Sequence, residues 1–464
     1  MASSAAEDAG MPAALTEGVA LGPLMAPGVA VAAVRELFEE TGVLPGLTVA
    51  DAPAERVLEL RRTLAAKELL LTEVLAELAL GLDLSRLVYA GRWLTPQLGP
   101  VRFDNRFFLL EWPDHEAIQP EVDGEECVFG EWIRPRLALE RWQRGELMAA
   151  PPILHLLRVL AEDGPERGLA RLHEPLEMNL GPFRQVEFRP GVLLLPLPTA
   201  TLPPAAYTNC YLLGTPSCVL IDPGSPGRRE IDWLVAAIEA AESQLGRKLV
   251  EIWLTHHHPD HVGGAAELSQ RLGVPIAAHA ETARRLAGQL RIDREIADGE
   301  ITALGSAERK FTVRAVHTPG HARGHLGFLH EELGSLIVGD VVAGFGTIVI
   351  DPPEGDMQQY LDTLDALLEL APRTLFPGHG PTILDALGKL REYRQHRRWR
   401  EERIFRAWCR GARTPEEMLA EVYDDVPERA LPLAARQIEA HLQRLEALGR
   451  LGRQGESLPG ASLS

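Results

Sequence analysis

Thr255-His256-His257-His258-Pro259-Asp260-His261-Val262-Gly263-Gly264 is the stretch from which the fold of this chain can be read. Four histidines and an aspartate fall within residues 256–261. The apolar run before it, Val250-Glu251-Ile252-Trp253-Leu254, predicts a buried strand. Val262 to Leu272 predicts a helix, with Pro259 where a first helical turn tolerates proline. The cluster therefore sits on the loop leaving a strand. Side chains two apart on extended backbone point the same way, which puts His256 and His258 together and turns His257 away. Asp260 and His261 project from the start of the helix, where the chain has changed direction. Two ligand sets from one short loop suit two adjacent metal ions. Neutral imidazole and carboxylate favour zinc, with manganese or iron as second choices. A tag or a plain polar loop is the alternative. The internal position, the Pro and Asp within the cluster, and the flanking strand and helix argue against it.

His256-x-His258-x-Asp260-His261 resembles the defining motif of the metallo-beta-lactamase superfamily, and four further motifs follow its expected order. Cys218-Val219-Leu220-Ile221-Asp222-Pro223-Gly224 resembles the first, a strand ending in Asp. Val316-His317-Thr318-Pro319-Gly320-His321 resembles the third, Leu336-Ile337-Val338-Gly339-Asp340 the fourth, and Phe376-Pro377-Gly378-His379-Gly380 the last. Tyr207 to Gly214 is similar to an early strand of that fold. The resemblance implies two divalent ions, Zn2+ first and Mn2+ or Fe2+ next. It implies one site of His256, His258 and His321, and a second of Asp260, His261 and His379, with Asp340 shared. Asp222 is expected behind the ligands, orienting one of them or the loop. Two such ions activate a hydroxide as nucleophile, and Asp260 is expected to orient it as a catalytic residue. His317 and His325 flank His321; hydrogen bonding within the loop is the preferred reading for both, with His325 also a candidate for substrate contact.

The chain of 464 residues is long enough for two to four domains. A net charge of -19 excludes a global basic field that would gather nucleic acid. Cys127, Cys210, Cys218 and Cys409 show no paired spacing, which excludes a disulfide framework and fits a reducing cytosol. No uninterrupted apolar run reaches membrane-spanning length. Glu7 and Asp8, with no basic residue before them, are unlike a signal peptide. The expectation is a cytoplasmic protein with no membrane partner.

Near the N-terminus, Ala32-Ala33-Val34-Arg35-Glu36-Leu37-Phe38-Glu39-Glu40-Thr41-Gly42-Val43 resembles the second half of a Nudix box. In that family such glutamates hold magnesium against a diphosphate. Glu36, Glu39 and Glu40 share a helix face and Gly42 suits the helix end. Strand-like Arg102–Leu110 and Glu131–Pro135, then a helix from Pro151 to Ala161, are also Nudix-like in order. Leu21 and Pro27 stand where the box requires Gly and Glu, so the expected domain is degenerate. The fold class expected is α/β: a Nudix-like domain over 1–165, a linker over 166–185, a metallo-beta-lactamase αββα sandwich over 186–388, a small winged-helix-like helical domain over 389–455 and a tail over 456–464.

From Lys389 the chain turns basic, with Tyr393, Trp399, Phe405 and Trp408 interleaved. Thr414-Pro415-Glu416-Glu417 predicts an N-cap, a proline at the first helical position and a capping box. This tail is similar to that of the beta-lactamase-like endoribonucleases. Arg397, Arg398, Arg400 and Arg403 are therefore candidates for phosphate contacts, and the tryptophans for base stacking. The alternative is a solvated helix face docked on the hydrolase domain. The expected substrate is a phosphodiester, single-stranded RNA or a smaller one, attacked by metal-bound hydroxide. A thioester, as in glyoxalase II, is the alternative. A nucleotide- or RNA-binding regulator with a residual metal site is the reading from another class. Assembly into a homo-oligomer is left open.

Overall fold

The structure, a computed structural model, describes residues 27–45, 53–82, 84–94, 104–112, 120–122, 129–173, 186–307 and 309–451. Leu21, Cys127 and the tail 456–464 lie outside the described residues. The chain divides into two compact units. One comprises residues 1–96, 101–141 and 152–179, and the other residues 97–100, 142–151 and 180–464.

The first unit contains α1 (Pro27–Thr41), α2 (Ala54–Ala65), α3 (Leu71–Glu77) and an antiparallel pair, β1 (Leu87–Leu94) and β2 (Asp104–Leu110). Ala30, Val31, Val34 and Phe38 form one face of α1 and pack with Leu60 and Leu64 of α2 and Val74 and Leu75 of α3. Gly42 closes α1 in a left-handed conformation. Two expectations are corrected here. Residues 131–134 form no strand, and Pro135 opens a helix, α4 (Pro135–Gln143). The helix α5 (Pro151–His173) does not end near Ala161 but breaks at Gly164 and resumes through Pro165, so residues 166–173 are helical and not linker. Glu36 and Glu39 do share a face, yet both are held by Arg35, which meets Glu39 at 2.7 and 2.8 Å and Glu36 at 2.7 Å. Among the described residues, the side-chain groups able to hold a metal include none of Glu36, Glu39 and Glu40.

The second unit is built in four layers. Among the described residues one sheet runs in the order β3 (Val186–Arg189), β4 (Val192–Pro198), β5 (Tyr207–Leu213), β6 (Ser217–Ile221), β7 (Lys248–Trp253), β8 (Ile276–Ala278), β9 (Arg294–Glu295). The other runs β10 (Ile301–Ala303), β11 (Thr312–His317), β12 (Leu326–His330), β13 (Ser335–Gly339), β14 (Thr374–Pro377). The sequence reads as continuous apolar runs here because both faces of each sheet are covered. Leu194, Tyr211, Val219, Ile221 and Trp253 meet Val313, Leu326, Phe328, Ile337 and Phe376 between the sheets. The alternate residues Leu193, Leu195, Leu212, Leu220 and Ile252 face α6 (Arg228–Leu245) and the helices beside it. On the far side Leu336, Val338 and Leu375 pack against α10 (Met357–Leu370) and α11 (Ala386–Cys409).

The helix expected after the histidine loop is two short ones, α7 (Pro259–Val262) and α8 (Ala265–Leu272). The break at Gly263 and Gly264 has a steric cause. A Cβ on Gly263 would lie 2.4 Å from the Gly224 carbonyl, and one on Gly264 2.6 Å from that of Ser225. The loop after β6 crosses there in contact with bare backbone. After β8 comes α9 (Ala280–Leu286). At the C-terminal end, α11 runs unbroken from Ala386 to Cys409, so a division at 388/389 falls inside a helix. Thr414 caps α12 (Pro415–Val422) with its capping box formed, and α13 (Leu431–Ala447) ends just before Gly449, which is left-handed.

Candidate metal centre

Five strands deliver the site. Asp222 follows β6, the histidine loop follows β7, His321 follows β11, Asp340 follows β13 and His379 follows β14. The ends of both sheets therefore supply residues to one place, where loops can carry chemistry that rigid strands position. His256 Nε2 and His321 Nε2 each lie 3.0 Å from His258 Nδ1. His261 Nε2 lies 3.4 Å from His379 Nε2, which is 3.4 Å from Asp260 Oδ2. Asp340 reaches both groups, 3.5 Å from His261 and His379 and 3.7 Å from His321. His256, His258 and His321 form one possible ligand set and Asp260, His261 and His379 another. His257 belongs to neither.

The ring nitrogens that face away from these groups are occupied. His261 Nδ1–H donates to Asp222 Oδ2 at 2.8 Å, His321 Nδ1–H to the Val349 carbonyl at 2.7 Å and His379 Nδ1–H to the Tyr207 carbonyl at 2.8 Å. The Thr255 hydroxyl donates to Asp222 Oδ2 at 2.6 Å and accepts from His256 Nδ1–H at 2.9 Å. Each of these four histidines thus turns an unprotonated Nε2 inward when neutral, the arrangement by which outer partners prepare imidazole for a metal. Asp222 also accepts the Thr255 amide at 2.8 Å, so it orients both a histidine and the loop.

The charges are divided across the site. Burial and neighbouring imidazoles hold His256 well below the usual histidine range, and burial with His321 brings His258 down to about 3. Burial opposes charge on His379 and His261 as well, but Asp340, with Asp260 or Asp222, outweighs it. His379 is pushed up to about 10 and His261 well above its ordinary value. Burial opposes charge on Asp260, but its bond to His379 together with the nearby His261 outweighs burial, and Asp260 falls to about 2. Asp340 Oδ1 is buried and has no hydrogen-bond partner among the described residues. A carboxylate with oxygens 3.5 Å from His261 and His379, among imidazole nitrogens 3.0–3.4 Å apart, fits divalent ions bound through nitrogen and oxygen.

Residues 203–379 match the profile of the Metallo-beta-lactamase superfamily, and residues 414–458 that of the Beta-lactamase associated winged helix domain. A Beta-lactamase-like protein 2 homolog of Drosophila melanogaster is 31% identical over 263 residues, 53% of this chain and 84% of its own length. The chain belongs to the metallo-beta-lactamase superfamily. It is thereby a metal-dependent hydrolase with a mixed α/β core and a C-terminal winged helix domain. An Atrochrysone carboxyl ACP thioesterase of Aspergillus chevalieri is 32% identical over 48% of this chain and 69% of its own. A metallo-beta-lactamase family protein of Thermus thermophilus, of known structure, is 25% identical over 58% of this chain and 97% of its own, with a TM-score of 0.47.

Several expected substrate contacts are elsewhere in this superfamily member. His325 is fully buried: its Nε2 accepts from the Asp340 amide at 3.0 Å and its Nδ1–H donates to the Thr318 hydroxyl at 2.7 Å. It props the Asp340 loop and cannot meet a substrate. Arg397 and Arg400 are 1% and 2% exposed and point into the protein. Arg400 binds the Val422 carbonyl and Asp425, and Arg403 binds the Glu421 carbonyl and Asp424. Arg398 is exposed. Trp399 is 44% exposed but is covered on its ring by the Arg400 and Arg403 guanidiniums. His317 bonds the Arg323 carbonyl at 2.8 Å and stacks on His279. Sequence reasoning passed over Thr201, whose hydroxyl lies 3.4 Å from His379 Nε2, and Thr255. A lone threonine carries no spacing signal that would single it out.

Proposed function

We propose that this chain hydrolyses a thioester, with the acyl portion of the substrate lying against an apolar lip beside His379. The observation that carries this reading is the loop between β4 and β5. Thr201 reaches His379, and the next three residues, Leu202, Pro203 and Pro204, are exposed. Leu202 is 52% exposed, an apolar side chain next to the residue that reaches His379. The similarity to an acyl carrier protein thioesterase supports the same class. RNA is the weaker substrate because Arg397, Arg400 and Arg403 are engaged by internal acceptors.

Two divalent ions bound here supply Lewis acidity and an activated water at neutral pH. His256, His258 and His321 would hold one, Asp260, His261 and His379 the other, and Asp340 both. The chain's own contribution is placement. Asp260, kept ionised by His379, accepts a hydrogen bond from the attacking water and aims it. The Thr201 hydroxyl stands beside His379, where it can donate to an oxygen that gains charge. Leu202 and the prolines exclude water from the acyl side.

The test is a parallel assay of the metal-loaded protein on an acyl-pantetheine thioester, single-stranded RNA and a small phosphodiester. Thioester turnover that disappears in Asp340→Ala is expected, with RNA uncut. RNA cleavage that Asp340→Ala removes, without thioester turnover, would return the case to the phosphodiester reading.

A further inference from the structure

The segment Thr347–Ile350 belongs to no strand or helix, yet it carries a contact that the metal centre depends on. The Val349 carbonyl accepts the Nδ1–H of His321 at 2.7 Å and so sets the direction of the metal-facing Nε2. No sheet ladder fixes that carbonyl. Its two neighbours are gripped instead by side chains from the C-terminal helices. Arg397 of α11 donates to the Ile348 carbonyl. Gln437 of α13 donates to the Ile350 carbonyl at 3.1 Å. The two gripping side chains are joined to each other, Arg397 to Gln437 Oε1, at 2.8 Å. One residue further on, Arg436 of α13 binds Asp351 and the Pro352 carbonyl.

We propose that Arg397 and Gln437 are positioning residues for His321, making the C-terminal helices a structural part of the metal centre through the carbonyls of Ile348 and Ile350. The geometry leaves the pair little other purpose. Both side chains are buried, Arg397 1% and Gln437 6% exposed, and among the described residues the guanidinium has no carboxylate partner. Among the described residues Arg397 Nε has no hydrogen-bond partner, a costly arrangement for a buried guanidinium unless its other nitrogens fix something. Its face rests on the ring of Tyr360 in α10, 5.2 Å from the centroid. Tyr360 in turn packs against the residue before that histidine. Gly320 precedes His321 at φ 129, and a Cβ there would lie 2.3 Å from Tyr360 Cα. The backbone on both sides of His321's bond is therefore set by elements C-terminal to it: α10 at Gly320, and α11 with α13 at the accepting carbonyl. Gln437 lies within the region matching the winged helix domain. That domain's inner face thus serves the metal site, whatever the substrate, so this inference does not rest on the thioester reading.

The test compares Gln437→Glu and Arg397→Met with Arg400→Met in the full chain. Gln437→Glu keeps the shape and the acceptor for Arg397 but loses the donor to Ile350. Arg400→Met removes a buried arginine of the same helix that bonds Val422 and Asp425 and does not touch Thr347–Ile350. Zn2+ affinities are read by chelator competition, and the His321 Nδ1–H resonance of the metal-free protein by 15N-histidine NMR. Gln437→Glu and Arg397→Met should weaken one of the two zinc affinities by about 10- to 100-fold, as loss of an outer partner does. The His321 resonance should shift or vanish. Arg400→Met should leave both readouts unchanged even where it lowers the melting temperature. The proposal is overturned if Gln437→Glu binds both ions with wild-type affinity, or if Arg400→Met loses zinc to the same degree. Should Arg397→Met fail to fold, Gln437→Glu decides alone.

Discussion

Thr255 shows how much a single hydroxyl can govern. It passes one hydrogen bond to Asp222 and receives one from His256, linking a residue of each expected ligand set through a group that belongs to neither. Thr255→Val removes both bonds at almost constant volume. His256 Nδ1–H is left without its acceptor inside the protein, at a cost of about 1–3 kcal/mol. Its ring loses the constraint that directs Nε2 inward. Zinc affinity should fall about 10- to 100-fold, measured by chelator competition, while the protein remains folded. Unchanged affinity would mean that packing alone orients His256. The ligand residues were legible because histidine and aspartate at those spacings are rare outside metal sites. Thr255 was not, because threonine next to a strand is ordinary and one of its two partners, Asp222, comes from 33 residues away in the chain.

At the scale of elements, α11 is the instructive case. Its arginines read as a charged surface, yet Arg397 and Arg400 lie on its inner face. Each meets one backbone carbonyl, of Ile348 or Val422, which every residue supplies and no composition can reveal, and one side chain, Gln437 or Asp425. The same helix holds a buried ion network with α13. Glu401 accepts from His441 Nδ1–H at 3.1 Å and from Arg444. Burial opposes charge on Glu401, but His441 and Arg444 outweigh it and hold its carboxyl below the ordinary 4.5. Burial keeps His441 below the ordinary 6.5 in spite of Glu401. Both shifts have the same consequence. The unfolded chain takes up protons that the folded chain refuses, so stability falls as pH falls. The loss from His441 begins below about pH 6.5, and Glu401 adds to it below about 4.5. In His441→Gln that decline should be shallower, though burial also lowers His330 and His396, as read from melting temperatures between pH 7 and 5. An identical profile in the variant would assign the decline to other groups.

For the molecule as a whole, the two sheets of the larger unit contribute to one centre from opposite sides of their shared core. Asp260 and three of the histidines come from the loop after β7, and His321, Asp340 and His379 come from the other sheet. Bound ions would therefore cross-link the sandwich at its rim as well as serve the chemistry. Free metal at 100 times its dissociation constant stabilises the folded state by about 2.7 kcal/mol per site. Chelation should lower the melting transition of this unit by several degrees, and calorimetry should show the unit without metal ligands unmoved. A chelated protein that melts as the loaded one does would show that the rim is held by protein contacts alone.

The chain by itself determined the order of strands and loops that end in Asp222, the histidine cluster, His321, Asp340 and His379. That information is local: apolar runs that stop at a turn, followed by residue types with few other uses. It also announced the helix ends at Thr414 and Gly42, since caps depend only on near neighbours. What lay beyond it was direction. Whether Arg397 faces solvent or protein, whether His325 meets a substrate or the Asp340 amide, and whether Glu39 is open or held by Arg35 are decided by which elements pack against each helix or loop. Charged and polar side chains carry the same symbols in both situations. Only the tertiary structure, by supplying or withholding a partner at hydrogen-bond distance, separates them, because burying such a group unpaired costs more than any local preference can return.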